Sequence, residues 1–361
     1  MRNIGYNITI SVNNLDVSYS DNELDGVPVI IFIHGFPLNK SMWHKQMSAF
    51  KDDFRVISYD IRGHGNTDEG NVNFSIDLFV RDLIGFMDAL KIDKTILCGL
   101  SMGGYISLNA IENFPERFNA LILSDTSCVV DTPQAREKRL RTIDSIKGNS
   151  MEKYADESIK NLFAPESIAI KIAEIESVKE MIMKTSKQSI YNTLHALSYR
   201  KETCSKLMNI NVPTLILVGK EDKITPPEAA LWMHERIKES SLKIIEQAGH
   251  LSNLENPLEF NDQLRKFLVT VSRKVLVQSP KKSVVFENNE KDLNSKILKI
   301  TMTIKDHYPE LSKYLDEMPV TIPTEKNPKM TLKNLSQYYE SLNSMLNKYL
   351  LEHPQYAKKQ K

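Results

Sequence analysis

Short, nearly continuous apolar runs alternate with stretches of helical periodicity through the first 270 residues of this chain, and few folds accommodate that pattern. The runs 29–33, 55–59, 95–98, 120–123, 214–218 and 242–245 are four or five residues long and rich in Ile, Leu and Val. Runs of this kind suit strands covered on both faces. Between them lie helical patterns such as Ile76, Phe79, Val80, Leu83, Phe86, Met87 and Leu90, whose spacing of three and four marks one buried helix face. Two alternating segments, 7–12 and 15–19, open the chain as a hairpin around Asn13-Asn14. The predicted fold class is α/β, a doubly wound and mostly parallel sheet.

Two regions depart from the alternation. Residues 133–207 are helical in pattern without strand runs, which predicts a helical insertion between two strands. After residue 270 the composition changes. Residues 271–291 carry no long periodic pattern and read as a linker, and 292–361 read as a separate small all-α unit. There Leu293, Ile297, Ile300 and Ile304 form one narrow stripe, and Leu332, Leu335, Tyr339, Leu342, Leu346 and Tyr349 form another. A short helix over 309–318 is expected between them, with Pro309 near its first turn. Stripes so narrow need a partner surface, so self-association or protein docking through these helices is an expectation.

The sharpest chemical signal is Gly99-Leu100-Ser101-Met102-Gly103, directly after the 95–98 run and before the helical run 105–114. A strand that turns at once into a helix strains the corner residue and raises its side chain above the sheet edge. Ser101 is that residue. The Met102 N–H, at the helix start, faces where an oxyanion would form. A serine hydroxyl needs a base, and the base needs a third group to orient it. With the serine at such a corner, the acid and the histidine follow it along the chain, each beyond a later strand. Asp222, after 214–218, and His250, after 242–245, fit those places, with Asp125 after 120–123 as the rival acid. His34-Gly35-Phe36-Pro37 follows 29–33, and its Phe36 N–H is the expected second oxyanion donor. Trp43 is a candidate pocket wall. His34 and His64, in HGF and RGHG turns, are assigned to local backbone hydrogen bonding.

Composition sets the limits. The longest apolar run, 27–33, contains Pro28 and falls far below the 18 or so residues of a membrane span. The N-terminus lacks the apolar core and cleavage site of a secretory signal, which predicts a cytoplasmic protein. No HExxH, clustered Cys/His or acidic loop is present, so no metal or cofactor is expected. Residues 1–270 carry 31 Lys and Arg against 36 Asp and Glu, and 271–361 carry 16 against 10. The basic tail interleaves its lysines with Glu, Asp and Leu, which predicts a solvated helix surface rather than a nucleic-acid site. Cys98, Cys128 and Cys204 are odd in number and far apart, which predicts packed thiols.

With these residues placed, the body resembles the α/β-hydrolase superfamily, and within it the bacterial esterase and lactonase branch that includes the 3-oxoadipate enol-lactonases. The stretches carrying the resemblance are HGFPLNKSMW (34–43), YDIRGHGNT (59–67), GLSMGGYISL (99–108), LILSDTSCVVDTPQAR (121–136), PTLILVGKEDKITPP (213–227) and AGHLSNLENPLEFN (248–261). The resemblance implies a Ser101–His250–Asp222 triad, oxyanion donors at Phe36 and Met102, and a lid formed by 133–207. The implied activity is hydrolysis of a small carboxylic ester or lactone through an acyl-enzyme. Carbon–carbon bond hydrolysis or perhydrolysis on the same residues is the alternative chemistry, and a non-catalytic receptor or scaffold is the alternative class. Epoxide or haloalkane chemistry would require a carboxylate where Ser101 stands. Residues 271–361 lie outside the resemblance.

Overall fold

The computed structural model describes residues 4–148, 150–278, 285–317 and 332–352. Two compact units divide the chain, Met1–Leu276 and Val277–Lys361.

The first unit is built on eight strands: β1 (Gly5–Val12), β2 (Leu15–Asp21), β3 (Val29–Ile33), β4 (Arg55–Tyr59), β5 (Thr95–Leu100), β6 (Phe118–Ser124), β7 (Thr214–Gly219) and β8 (Ser240–Ile245). Every strand expected from the sequence is present. Asn13 and Asn14 both adopt positive φ, 51° and 60°, as a tight hairpin turn requires. The sheet order is β1-β2-β4-β3-β5-β6-β7-β8, and β1 and β2 are its antiparallel members. The continuous apolar runs are explained by the two faces. Ile31, Ile33, Leu97, Leu121, Leu123, Ile216 and Val218 pack into one core, while Ile30, Phe32, Ile96, Ile122, Leu215 and Leu217 pack into the other.

Helices α1 (His44–Phe50), α2 (Ile76–Ala89) and α3 (Met102–Asn113) connect the central strands. Helix α2 shows why the local sequence folds as it does. Ser75 caps it by accepting from Leu78 N at 3.0 Å, and Ile76, Phe79, Val80, Leu83, Phe86 and Met87 bury the expected face. The chain passes from β3 to β4 on one side and then crosses to β5 on the other. This makes the β3/β5 pair the topological switch point, where the carboxyl ends of the strands open a crevice. Registers Ile33↔Gly99, Leu100↔Ser124 and Gly219↔Ile245 bring the ends of β3, β5, β6, β7 and β8 to one edge.

The expected insertion between β6 and β7 is helical throughout its regular elements: α4 (Pro133–Gly148), α5 (Met151–Leu162), α6 (Pro165–Ile170), α7 (Ile172–Lys184) and α8 (Lys187–Ser198). Its two stems meet. Thr203 N donates to Cys128 O at 3.1 Å, Arg200 binds Val129 O at 2.8 Å, and Cys128 forms a disulfide with Cys204 across a separation of 76 positions. This corrects the expectation of three thiols. Cysteines this far apart in sequence become neighbours because the insertion leaves and re-enters the sheet at one place. Only Cys98, on buried β5, keeps its thiol. Denaturing alkylation of the unreduced protein should therefore label one thiol per chain, and reduction first should raise the count to three. Two or three labels without reduction would remove the disulfide.

Helices α9 (Pro227–His234), α10 (Ser252–Glu255) and α11 (Pro257–Gln278) complete the body. The expected linker over 271–291 needs correction. Helix α11 continues to Gln278 and α12 (Val285–His307) already spans 285–291, so within that segment only 279–284 lie outside the described residues. The α11 stripe Phe260, Leu264 and Leu268 runs on to Val271 across the expected boundary, while 285–291 carries no such stripe and gave no helical signal. In the second unit α12, α13 (Pro309–Glu317) and α14 (Leu332–Glu352) pack their stripes together. Ile300, Ile304, Tyr308, Leu311, Leu315 and Leu342 form its core. Met318, expected at the end of α13, lies outside the described residues.

Candidate active site

Ser101 occupies the corner between β5 and α3 with φ 55° and ψ −112°, a strained backbone for a residue with a side chain. The flanking glycines are sterically required. A Cβ on Gly99 would run into the Gly103 carbonyl, and one on Gly103 would run into the Ile33 carbonyl. Strand, turn and helix can close only around bare backbone, which aims the serine hydroxyl above the sheet edge.

Two other loops at that edge deliver the remaining groups. His250 Nε2 lies 2.8 Å from Ser101 Oγ, and its Nδ1 lies 2.8 Å from Asp222 Oδ2. Asp222 is fixed in turn: Oδ1 accepts from Ile224 N at 2.8 Å and Thr225 N at 3.0 Å, and Oδ2 accepts the Thr225 hydroxyl at 2.8 Å. Thus the structure brings Ser101, His250 and Asp222 together in the order the sequence suggested. With Nδ1 donating to Asp222, Nε2 is the nitrogen free to accept the Ser101 proton. All three are buried, at 9%, 2% and 3% exposure. Burial alone would push the His250 pKa down, but the charge of Asp222 and its hydrogen bond outweigh this and hold it above the ordinary histidine value. Burial likewise acts to raise the Asp222 pKa, and the charge and hydrogen bond of His250, with the Thr225 bonds, bring it below the usual carboxylate value.

A histidine that must be neutral to act as base loses activity as pH falls through its pKa. The acid limb of kcat/KM should therefore have its midpoint above the 6.5 of an unperturbed histidine. A midpoint below that value, in a pH series at constant ionic strength, would contradict the environment described.

Asp125 is not the partner of His250. Its Oδ1 accepts from Gly219 N at 2.8 Å, and its Oδ2 accepts the hydroxyls of Ser124 at 2.7 Å and Ser252 at 2.5 Å, so it ties the ends of β6 and β7 to α10. Burial, followed by the nearby charge of Asp222, pushes its pKa well up.

The loop after β3 lies against the serine: a Cβ on Gly35 would stand 3.4 Å from Ser101 Cβ. Phe36 follows at once, its ring edge-on to His64 at 6.0 Å and packed on Ile143, Ile146, Ile190 and Leu194 of the insertion. Met102 opens α3. A buried pair steadies this loop, with Lys40 Nζ 2.6 Å from Asp60 Oδ2 and 3.0 Å from Ser18 Oγ. His34 accepts from Ile61 N at 3.0 Å and His64 bonds Arg62 O at 3.0 Å, the local roles expected of them. Trp43 requires correction. It is fully buried and packs on Phe32 and Phe260 at ring distances of 5.0 and 6.2 Å, so it belongs to the core and walls no pocket. An aromatic at the end of the short 3-10 turn Lys40–Trp43, directly before α1, gives no clue in sequence to which side of the sheet it will enter.

The sequence reading missed Thr225 and Glu255. Thr225 sits three residues after Asp222 and Glu255 five after His250, spacings at which a side chain folds back on its own loop. A cavity of about 370 Å³ opens between the start of α2, the middle of α3 and the second half of α8, lined by Phe74, Tyr105, Tyr191, His195, Tyr199 and Arg200 among others. Ser101 is not in its wall. Among the described residues no cluster of His, Cys, Asp or Glu could hold a metal ion.

Taken with the sheet order, the serine corner defines the class: the body of this chain has the α/β-hydrolase fold. A family profile described as the alpha/beta hydrolase fold matches residues 28–171. Among curated proteins, 3-oxoadipate enol-lactonase 2 of Acinetobacter baylyi is 28% identical over 253 residues, covering 70% of this chain and 93% of its own. A thermophilic esterase from Thermogutta terrifontis, solved with malate bound, superposes with a TM-score of 0.69 at 29% identity, over 73% of this chain and 98% of its own. The enol-lactonase of Burkholderia xenovorans LB400 superposes at 0.68 with 23% identity, over 73% and 100% respectively.

Proposed function

We propose that this protein is a serine hydrolase that cleaves a small carboxylic ester or lactone. The observation that carries the reading is the chain of contacts from Asp222 through His250 to Ser101, each link 2.8 Å. In this mechanism Ser101 Oγ attacks the carbonyl carbon while His250 Nε2 takes its proton. The negative charge that develops on the carbonyl oxygen is held by the N–H groups of Phe36 and Met102, worth several kcal/mol in the transition state. Collapse expels the alcohol, protonated by His250, and leaves an acyl-Ser101. Water then attacks by the same route in reverse. In a lactone the alcohol stays tethered to the acyl group. Phe36 beside the serine, packed on the α4 and α8 isoleucines and leucine, favours an apolar acyl group. The esterase and lactonase names of the similar proteins fall in the same reaction class. The experiment is a panel of p-nitrophenyl esters and five- and six-membered lactones, with fluorophosphonate labelling of Ser101. A protein that hydrolyses none and takes no label refutes the reading.

No described helix is long and apolar enough to cross a membrane. The expectation of cytoplasmic residence stands against the Cys128–Cys204 disulfide, because such bonds persist mainly in oxidising compartments. Alkylation of protein from rapidly quenched cells decides it. The C-terminal unit we assign to self-association or docking. It has its own core, yet Leu298 and Met302, one turn apart on α12, stay 61% and 53% exposed. A chain ending at Leu276 should keep ester hydrolysis within about twofold, since all three site residues lie in the first unit, and should lose assembly by light scattering. A truncated chain with unchanged assembly would remove the docking role.

A further inference from the structure

The loop that carries His250 touches the lid backbone to backbone. A Cβ on Gly249 would stand 2.6 Å from Ala164 N and 2.9 Å from Phe163 C, so no larger residue fits at this contact. His250 N itself donates to Leu162 O at 2.9 Å. Leu162, Phe163 and Ala164 form the corner between α5 and α6. The two segments are also joined through one buried carboxylate. Glu255, on α10 and 2% exposed, accepts from Gly249 N at 2.8 Å and Leu251 N at 3.4 Å with Oε1. Its Oε2 accepts from Ala164 N at 2.8 Å, and the buried Ser167 side chain of α6 acts on the same carboxylate, lowering its pKa against the burial that raises it. One oxygen thus grips the loop on both sides of His250 while the other grips the lid.

We propose that Glu255 is a positioning residue that couples the lid to the base, so that His250 is aimed at Ser101 only while the α5–α6 corner of the lid is seated. This rests on reading Ser101, His250 and Asp222 as the acting groups. A loop residue displaced by about 1 Å from a productive geometry can cost on the order of 100-fold in rate, and Glu255 is what fixes the loop from the lid side. The titratable carboxyl groups that face His250 are Asp222 from the loop after β7, Asp125 from the end of β6 and Glu255 from α10, and burial raises the pKa of the last two, so each acts on the ring when ionised. All three favour the imidazolium. Removing the Glu255 charge therefore lowers the pH at which His250 titrates.

Glu255→Gln tests the proposal, because the amide keeps the size and one acceptor oxygen but opposes one set of N–H donors with its own. On p-nitrophenyl acetate kcat should fall about 10- to 100-fold with KM within about threefold. Fluorophosphonate labelling should slow in parallel, and the His250 ring resonances should titrate at lower pH than in the unsubstituted protein. Ser167→Ala, which removes only a polar group acting on Glu255 from the lid side, should lower kcat several-fold at an unchanged melting temperature, and it decides the matter if Glu255→Gln does not fold. Activity within twofold and an unshifted His250 titration in Glu255→Gln, or unchanged kcat in Ser167→Ala, overturns the coupling. Unsubstituted protein that takes no fluorophosphonate overturns the triad reading instead, and the titration of His250, which needs no turnover, then judges the Glu255 contact by itself.

Discussion

Replacing Ser101 with alanine is expected to lower kcat on p-nitrophenyl acetate by a factor of about 10⁴ to 10⁶ and to abolish fluorophosphonate labelling, with little change in melting temperature. The hydroxyl is the atom that would bond to the acyl group, and no other nucleophile stands within reach of His250 Nε2 in the contacts described. Stability should hold because Ser101 Oγ bonds only His250 among its described partners. The positive φ at this corner is retained by alanine at some cost, but the backbone is fixed by Ser101 N donating to Ser124 O at 3.0 Å and by Gly104 N donating to Ser101 O at 2.9 Å. Retention of more than a tenth of the activity would defeat the nucleophile assignment.

The second large effect concerns the two acids. Asp222→Asn should reduce kcat by about 10⁴-fold, while Asp125→Asn should cost far less. At Asp222, Oδ1 is held by two backbone N–H donors, which fixes the amide oxygen there and turns the NH₂ toward His250 Nδ1. The imidazole must then accept at Nδ1 and carry its proton on Nε2, where it cannot take the serine proton. At Asp125 two of the three donors are hydroxyls, which can rotate to accept from an amide NH₂ while Gly219 N keeps its acceptor. A reversal of the two effects, measured as kcat at a pH above the acid limb, would move the acid to the end of β6.

Why the sequence disclosed some of this and not the rest follows from distance along the chain. Strands buried on both faces must be apolar at every position, so the runs 29–33 and 214–218 announce themselves. The Gly-x-Ser-x-Gly corner is equally local, because its glycines answer to atoms within a few residues or on the adjoining strand. Asp222 and His250 could be placed because each stands just past a legible strand. Trp43, the disulfide and Glu255 depend on what a loop meets after the chain has returned. Cys128 finds Cys204 only once the insertion has closed, and Glu255 finds Ala164 only once the corner between α5 and α6 has come against α10. The helix over 271–278 continues the stripe Phe260, Leu264, Leu268 and Val271, a local signal that the change of composition after residue 270 obscured.

The closed stem of the insertion has a consequence for how such a chain can diversify. Cys128 and Cys204 hold their Cα atoms 4.9 Å apart, so the whole segment between them enters and leaves through one narrow neck. A segment of that form is a cassette. Its interior can be rewritten in length and sequence while the sheet, the serine corner and the loops after β7 and β8 keep their registers. New substrate preferences are then reachable by exchange of α4 and α8, whose side chains roof Phe36, in a single genetic step. The α5–α6 corner is the exception. Residues 162–167 have a fixed counterpart in Gly249 and Glu255 outside the cassette, so an exchange that includes this corner must carry its backbone geometry unchanged or recruit a compensating change on the histidine loop.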